Sequence, residues 1–198
     1  MNKKLFSFRR CPYAIRARMA LKECKINYEL IEVDLKNKPT ELIKISPKGT
    51  VPVLVLENQK IIDESIDIIQ YALANNQESS LNIIDDNNKK IAENLIAEND
   101  NSFKKNLDKY KYHVRYPENT QLFYRQESEV FLEKLEDKFD NGNNKFLLGK
   151  TMKYVDIAIA PFIRQFCYVN EKWFRNSKYI NILNWLDYLE KKMDIRQK

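Results

Sequence analysis

"FSFRRCPYAIRARMAL", residues 6–21, sets a lone cysteine, Cys11, directly before Pro12, with four arginines (Arg9, Arg10, Arg16 and Arg18) within seven positions of its sulfur. The short apolar stretch 4–8 reads as a strand. Proline suits the first turn of a helix, where its missing N–H costs nothing. Ala17, Ala20, Leu21 and Cys24 then share one helical face, with Arg16, Arg18, Lys22 and Lys25 off it. A cysteine at such a helix start meets unpaired N–H groups and the positive end of the helix dipole. Together with the arginines these favour the thiolate, the nucleophilic form, over the thiol that a free cysteine of pKa about 8.5 mostly is. Read plainly, Cys11 is a structural cysteine beside solvated arginines.

Working outward, residues 3–75 alternate short strands and helices. Ile31, Val33 and Leu35 alternate with Leu30, Glu32 and Asp34 as a second strand. Pro39 opens a short helix that stops before Ser46-Pro47-Lys48-Gly49. The valine-rich run 51–56 reads as a buried strand, Asn58-Gln59 as a tight turn into 60–62, and a helix follows from about Ser65 with Ile66, Ile69 and Leu73 on one face. The order is β-α-β-α-β-β-α. Pro52 stands out, because proline inside a strand belongs at an edge or at the strand start; a cis peptide bond is one way to hold it there.

Residues 75–86 (NNQESSLNIIDD) are polar and read as a linker, which divides the chain into domains at 1–76 and 87–198. Beyond it the period is helical. Ile91 and Leu95 begin a long helix running to about Tyr112, Phe131, Leu135 and Phe139 mark a second that ends at Asn141-Gly142, a third spans about 154–168 and a fourth about 180–192. The fold class is an α/β thioredoxin-like domain followed by an all-α domain.

The chain has 198 residues and a formal charge of +6. Residues 1–75 hold 13 basic and 9 acidic side chains, while the remainder hold 21 and 19. The excess therefore gathers near Cys11, and elsewhere the signs are mixed, as in Glu136-Asp137-Lys138, so no nucleic-acid partner is expected. No apolar run approaches the roughly 18 residues of a membrane span. Arg9 and Arg10 break the N-terminal apolar stretch well short of the roughly 7–15 residues of an export signal. The expectation is a cytoplasmic protein without a membrane partner. The three cysteines, Cys11, Cys24 and Cys167, form no CxxC pair, so neither a zinc site nor a two-cysteine redox motif is expected. Cys24 and Cys167 fall on apolar helical faces and read as core, as do Trp173 and Trp185. The single histidine, His113, has no triad around it.

These motifs together resemble the glutathione transferase superfamily, and within it the cysteine-type, omega-like members. "SFRRCPYAIRARMAL" is similar to their Cys-Pro-aromatic signature, "DLKNKPTELIKISPKGTVPVL" to the stretch leading to the cis-proline, and "DESIDIIQYAL" to the Glu-Ser turn that holds the γ-glutamyl end of glutathione. "LLGKTMKYVDIAIAPFIRQF" resembles the helix that carries a buried aspartate and a following proline. Family members often place Ser or Thr three residues before that aspartate as an N-cap. Here the position is Lys153, with Thr151 two residues earlier, so the cap is either shifted or lost, at a cost of roughly 1 kcal/mol.

The resemblance implies Cys11 as the catalytic residue and glutathione as cosubstrate, with no metal. It implies that Lys38 pairs with the glycine carboxylate and that the main chain of Val51, before cis-Pro52, pairs with the cysteinyl backbone. Glu64 and Ser65 would take the γ-glutamyl amine and carboxylate, and Tyr13 would line the pocket beside the sulfur. Tyr110, Tyr112, Tyr116 and Arg164 would contribute to a second-substrate pocket. Read plainly, Lys38 and Glu64 are surface charges, Ser65 is an N-cap, and the tyrosines are core. Cysteine-type members tend toward glutathione-dependent thiol transfer and reduction, acting on a small molecule or a disulfide, and toward homodimers. A conjugating detoxification enzyme and a non-catalytic stress-regulatory module are the competing expectations.

Overall fold

The structure is a computed structural model that describes residues 2–139 and 142–193. The chain divides into two compact units, the first running to Asn82 and taking in Lys192, the second being Ile83–Lys191.

The first unit follows the expected order: β1 (Lys4–Ser7), α1 (Pro12–Glu23), β2 (Glu29–Glu32), α2 (Thr40–Ile45), β3 (Val53–Val55), β4 (Ile61–Ile62) and α3 (Ser65–Ala74). The sheet order is β2-β1-β3-β4. β1 runs parallel to β2, pairing Leu5 with Leu30, and antiparallel to β3, pairing Leu5 with Leu54. As an inner strand β1 buries Leu5 and Phe6 completely. Pro12 is the first residue of α1 and Cys11 its N-cap. The helix closes in a left-handed turn at Lys25 (φ 57°), where the Ile26 N–H donates to the Leu21 carbonyl and the Lys25 N–H to that of Lys22. That is the Schellman pattern, with lysine where glycine is usual. The Val51-Pro52 bond is cis, and the proline precedes β3 instead of interrupting it.

The polar stretch read as a linker is ordered in its first half. Asn76 Nδ2 donates to the Cys24 carbonyl at 3.2 Å, Asn82 Nδ2 donates to that of Asn76 at 3.1 Å, and Leu81 is buried. Side-chain amide contacts of this kind leave no hydrophobic period to detect.

The second unit is helical: α4 (Asp86–Glu98), a π-helical turn (Asn99–Phe103), α5 (Lys104–Lys111), a 3₁₀ turn (His113–Arg115), α6 (Gln121–Asp137), α7 (Tyr154–Cys167), α8 (Glu171–Arg175) and α9 (Ile180–Glu190). α4, the π turn and α5 run on as the single long helix expected, with Asp85 and Thr120 capping α4 and α6 through their side chains. The helix end expected at Asn141-Gly142 falls partly on Asn141, outside the described residues; α6 closes at Asp137. Phe103, Phe131 and Phe166 meet in the core, with ring centroids 5.0 and 5.8 Å apart around Phe103.

The N-cap of α7 is Lys153, which makes no side-chain cap bond; lysine carries only donors and cannot accept from the helix N–H groups. The cap is therefore lost rather than shifted to Thr151. Asp156 compensates from inside the helix. Its Oδ2 accepts from the Lys153 N–H at 2.8 Å, and its Oδ1 accepts from the Leu147 N–H at 3.0 Å and from Trp185 Nε1 at 2.9 Å. Burial pushes this carboxyl up to about 6 against the pull of those donors.

Candidate active site

Cys11 stands where β1 turns into α1. Its amide donates to the Phe8 carbonyl at 3.0 Å, and its carbonyl accepts from Ile15, so both main-chain groups are fixed by the turn. Pro12 has no N–H, so the helix offers its first N–H groups only from Tyr13 onward. The sulfur does not cap them. It reaches across the unit to the Val51 carbonyl, 3.7 Å away, and packs against the apolar cluster of Phe6, Val51 and Val53. The half-buried thiol thus lies beside the main chain that precedes cis-Pro52.

The other two thiols are buried. Burial raises the pKa of Cys24, with the Ser79 hydroxyl pulling it back, and pushes that of Cys167 up to about 12. Both are thereby kept as thiols at neutral pH.

The arginines divide, against the plain reading that left all four in solvent. Arg9 and Arg10 are exposed, but Arg16 and Arg18 are buried. Arg18 donates to Ser7 Oγ and to the carbonyls of Phe8, at 3.5 Å, and Arg9, at 3.1 Å, so it braces the turn that presents Cys11. Arg16 donates to Ser65 Oγ at 2.9 Å. A guanidinium survives burial when hydroxyls and carbonyls meet its N–H groups.

Glu64, not Ser65, is the N-cap of α3, and Ser65 is its buried first residue. Glu64 Oε1 lies 2.6 Å from Lys48 Nζ, which also lies 3.1 Å from Asp63 Oδ2. Lys48 holds the Asp63 carboxyl below its ordinary range. Lys48 was missed from sequence because its partners lie fifteen and sixteen positions away and a single loop lysine carries no pattern. Lys38 is exposed and has no ion-pair partner among the described residues. Its Nζ approaches Gly49, standing 3.3 Å from where a Cβ there would be. Lys38 is thus brought to the loop that leads into Val51.

A family model described as glutathione S-transferase, N-terminal domain, matches residues 5–80. Over 187 residues, 91% of this chain and 75% of the relative, the chain is 30% identical to glutathione S-transferase L1 of Arabidopsis thaliana. The chain belongs to the glutathione S-transferase family. It is also 30% identical over 162 residues to glutathione S-transferase omega-1 of Mus musculus, covering 82% of this chain and 66% of that protein. Among solved structures it matches glutathione transferase Omega 3C from Trametes versicolor with a TM-score of 0.81 at 20% identity, over 100% of this chain and 90% of that one. It matches a glutathione S-transferase of Methylobacillus flagellatus, solved with GSH bound, with a TM-score of 0.81 at 18% identity and 96% coverage of each chain. The glutathione transferase fold and the omega-like resemblance read from the motifs agree with these matches.

The remaining expected residues of this glutathione S-transferase family member lie in the second unit in unlike settings. Tyr110 is core, 3% exposed and packed on Phe166 with centroids 5.1 Å apart. Tyr112 is 39% exposed at the end of α5, flanked by Lys111 and Arg115. Tyr116 meets Tyr124 edge-on at 6.4 Å. Arg164 is committed to Glu190, with Nε and Oε1 2.8 Å apart, and lies over the Tyr168 ring. Trp185 is core, whereas Trp173 is only partly buried, beneath Arg125. Among the described residues no cluster of metal-ligating side chains stands out and no helix is long and apolar enough to cross a membrane.

Proposed function

We propose that the protein is a glutathione-dependent thiol transferase working through a mixed disulfide on Cys11. The carrying observation is the placement of that thiol, half-buried at a helix start and 3.7 Å from the Val51 carbonyl, while Cys24 and Cys167 are buried. The Cys11 thiolate attacks the glutathionyl sulfur of a mixed disulfide, forms its own disulfide with glutathione and expels the substrate thiolate, which takes up a proton. Position 14, where a two-cysteine enzyme would keep its resolving thiol, is Ala14. A second glutathione, as thiolate, therefore attacks the glutathionyl sulfur on Cys11, leaving as oxidised glutathione and restoring the cysteine. Glutathione is held by Lys38 at its glycine carboxylate, by the Val51 main chain, and by Glu64 and Ser65 at its γ-glutamyl end, with Tyr13 beside the sulfur.

Turnover of a glutathione mixed disulfide, set against turnover of an electrophilic aryl halide, tests this in the native protein and in Cys11→Ser. The native protein is expected to prefer the disulfide, and the serine variant to lose that activity while binding glutathione within about threefold of the native affinity. A serine variant that still reduces the mixed disulfide at the native rate overturns the mechanism. We further read the protein as a cytoplasmic homodimer. Phe123 and Val130, exposed seven residues apart on α6, are in keeping with the dimer, and sedimentation of the purified chain tests it.

A further inference from the structure

A buried guanidinium is costly unless its N–H groups are met. Arg16 is 2% exposed and ranks among the largest fully buried side chains of the protein. Its Nε donates to Ser65 Oγ at 2.9 Å, in a buried contact between the second turn of α1 and the first residue of α3. The Tyr13 ring lies against the guanidinium, 5.0 Å from Cζ to the centroid, and a cation over an aromatic face is attracted to it.

The contact has a direction. Arginine carries donors only and stays charged in proteins, whereas a hydroxyl has one proton and two acceptor lone pairs. Once the Arg16 N–H occupies a lone pair of Ser65 Oγ, the serine proton is turned away from Arg16. A hydroxyl that accepts from a cation is also polarised into a stronger donor. The start of α3 adds to this, because Glu64 makes no side-chain cap bond there and the first N–H groups of a helix have no intrahelical partner.

We propose that Arg16 is a positioning residue for anion recognition: it holds the Ser65 hydroxyl as a donor toward the α-carboxylate of the γ-glutamyl group and adds positive potential behind it, without touching the ligand. This rests on the assignment of Ser65 to the γ-glutamyl end of glutathione.

The test compares glutathione with γ-aminobutyryl-cysteinyl-glycine, which keeps the amine and lacks only that carboxylate, by calorimetric titration of the full chain. The native protein is expected to prefer glutathione. In Arg16→Gln the replacement can accept as well as donate, so the serine proton is no longer forced outward. The preference should fall by about tenfold through weaker glutathione binding alone. Arg16→Lys, a donor-only cation, should restore it to within about threefold of native. In a Ser65→Ala background, Arg16→Gln should cost clearly less than in the native protein, leaving only the loss of its positive potential; an equal cost in both backgrounds would overturn the role through Ser65. Should the glutamine variant fail to fold, Arg16→Met is put through the same comparison. Equal weakening toward both ligands would overturn the proposal and leave Arg16 a structural residue; an unchanged preference would also overturn it. A native protein with no preference between the two ligands would instead strike the γ-glutamyl assignment of Ser65, before Arg16 is altered at all.

Discussion

The sulfur of Cys11 lies 3.7 Å from the carbonyl oxygen of Val51, forty positions further along the chain. The contact joins the N-terminus of α1 to the residue before cis-Pro52, and both ends rest on the Phe6–Val51–Val53 cluster. A thiol can donate to that carbonyl and a thiolate cannot. Deprotonation therefore removes that donor, and the N-terminus of α1, with its dipole, favours the resulting anion.

Cys11 is expected to be the only fast-reacting thiol. Cys24 and Cys167 are buried, and burial raises both pKa values, which lowers their thiolate fraction. Brief alkylation at neutral pH followed by peptide mass mapping should place the label on Cys11. Preferential labelling of Cys24 or Cys167 would remove Cys11 from the site.

Lys38→Ala is expected to weaken glutathione binding by about tenfold to a hundredfold, from a charge-assisted contact of roughly 1.5–3 kcal/mol. Because Lys38 is exposed, the lower end applies. Lys44, in the last turn of α2 and matched to no glutathione contact, is the control. Equal affinities for Lys38→Ala and Lys44→Ala in calorimetric titration would send the carboxylate's partner elsewhere, with Lys48 the first residue to try.

Much of this site was legible in the sequence, because its parts are marked by residues with strong local rules. Pro12 marks the helix start and Pro52 the strand start, while the apolar alternation places β1 and β3 around them. What escaped depended on contacts distant in sequence. Hydropathy put Arg16 and Arg18 in solvent, since their partners Ser65 and Ser7 are invisible to a helical wheel. The feature that pointed to burial was the lack of any acidic residue among the alanines of 14–20. α8 was missed because it is five residues long and its Trp173 and Phe174 are adjacent, not at helical spacing. The first turn of α6 was missed because Leu122 and Phe123 there are exposed.

Gly49→Ala is expected to destabilise the first unit and to weaken glutathione binding with it. Gly49 has φ +59°, and an added Cβ would meet Ile43 Cδ1 at 2.9 Å and Lys38 Nζ at 3.3 Å. The left-handed backbone alone costs an L-residue about 1–2 kcal/mol, and displacing Ile43 adds to it. Urea unfolding of the variant beside the native protein measures the loss. A midpoint and slope equal to the native values would mean that the loop before Val51 adapts freely and does not hold Lys38 in place.

Asp156 should make the protein's stability fall with rising pH across a mildly acidic window. In the folded chain burial pushes its carboxyl up to about 6, against about 3.9 in an unfolded one. The native state therefore binds the extra proton between those values. Its contribution is complete below about pH 4 and is lost as pH rises through about 6, by about 3 kcal/mol in all. Other carboxylates titrate in the same range, so the quantity to follow is the difference in unfolding free energy between the native protein and Asp156→Asn, in which position 156 cannot ionise. Measured by urea unfolding from pH 4 to pH 7, the native protein's standing relative to the variant should decline and then level off. A difference that grows with pH would show that the N–H groups of Lys153, Leu147 and Trp185 outweigh burial, and that Asp156 holds the start of α7 as a carboxylate.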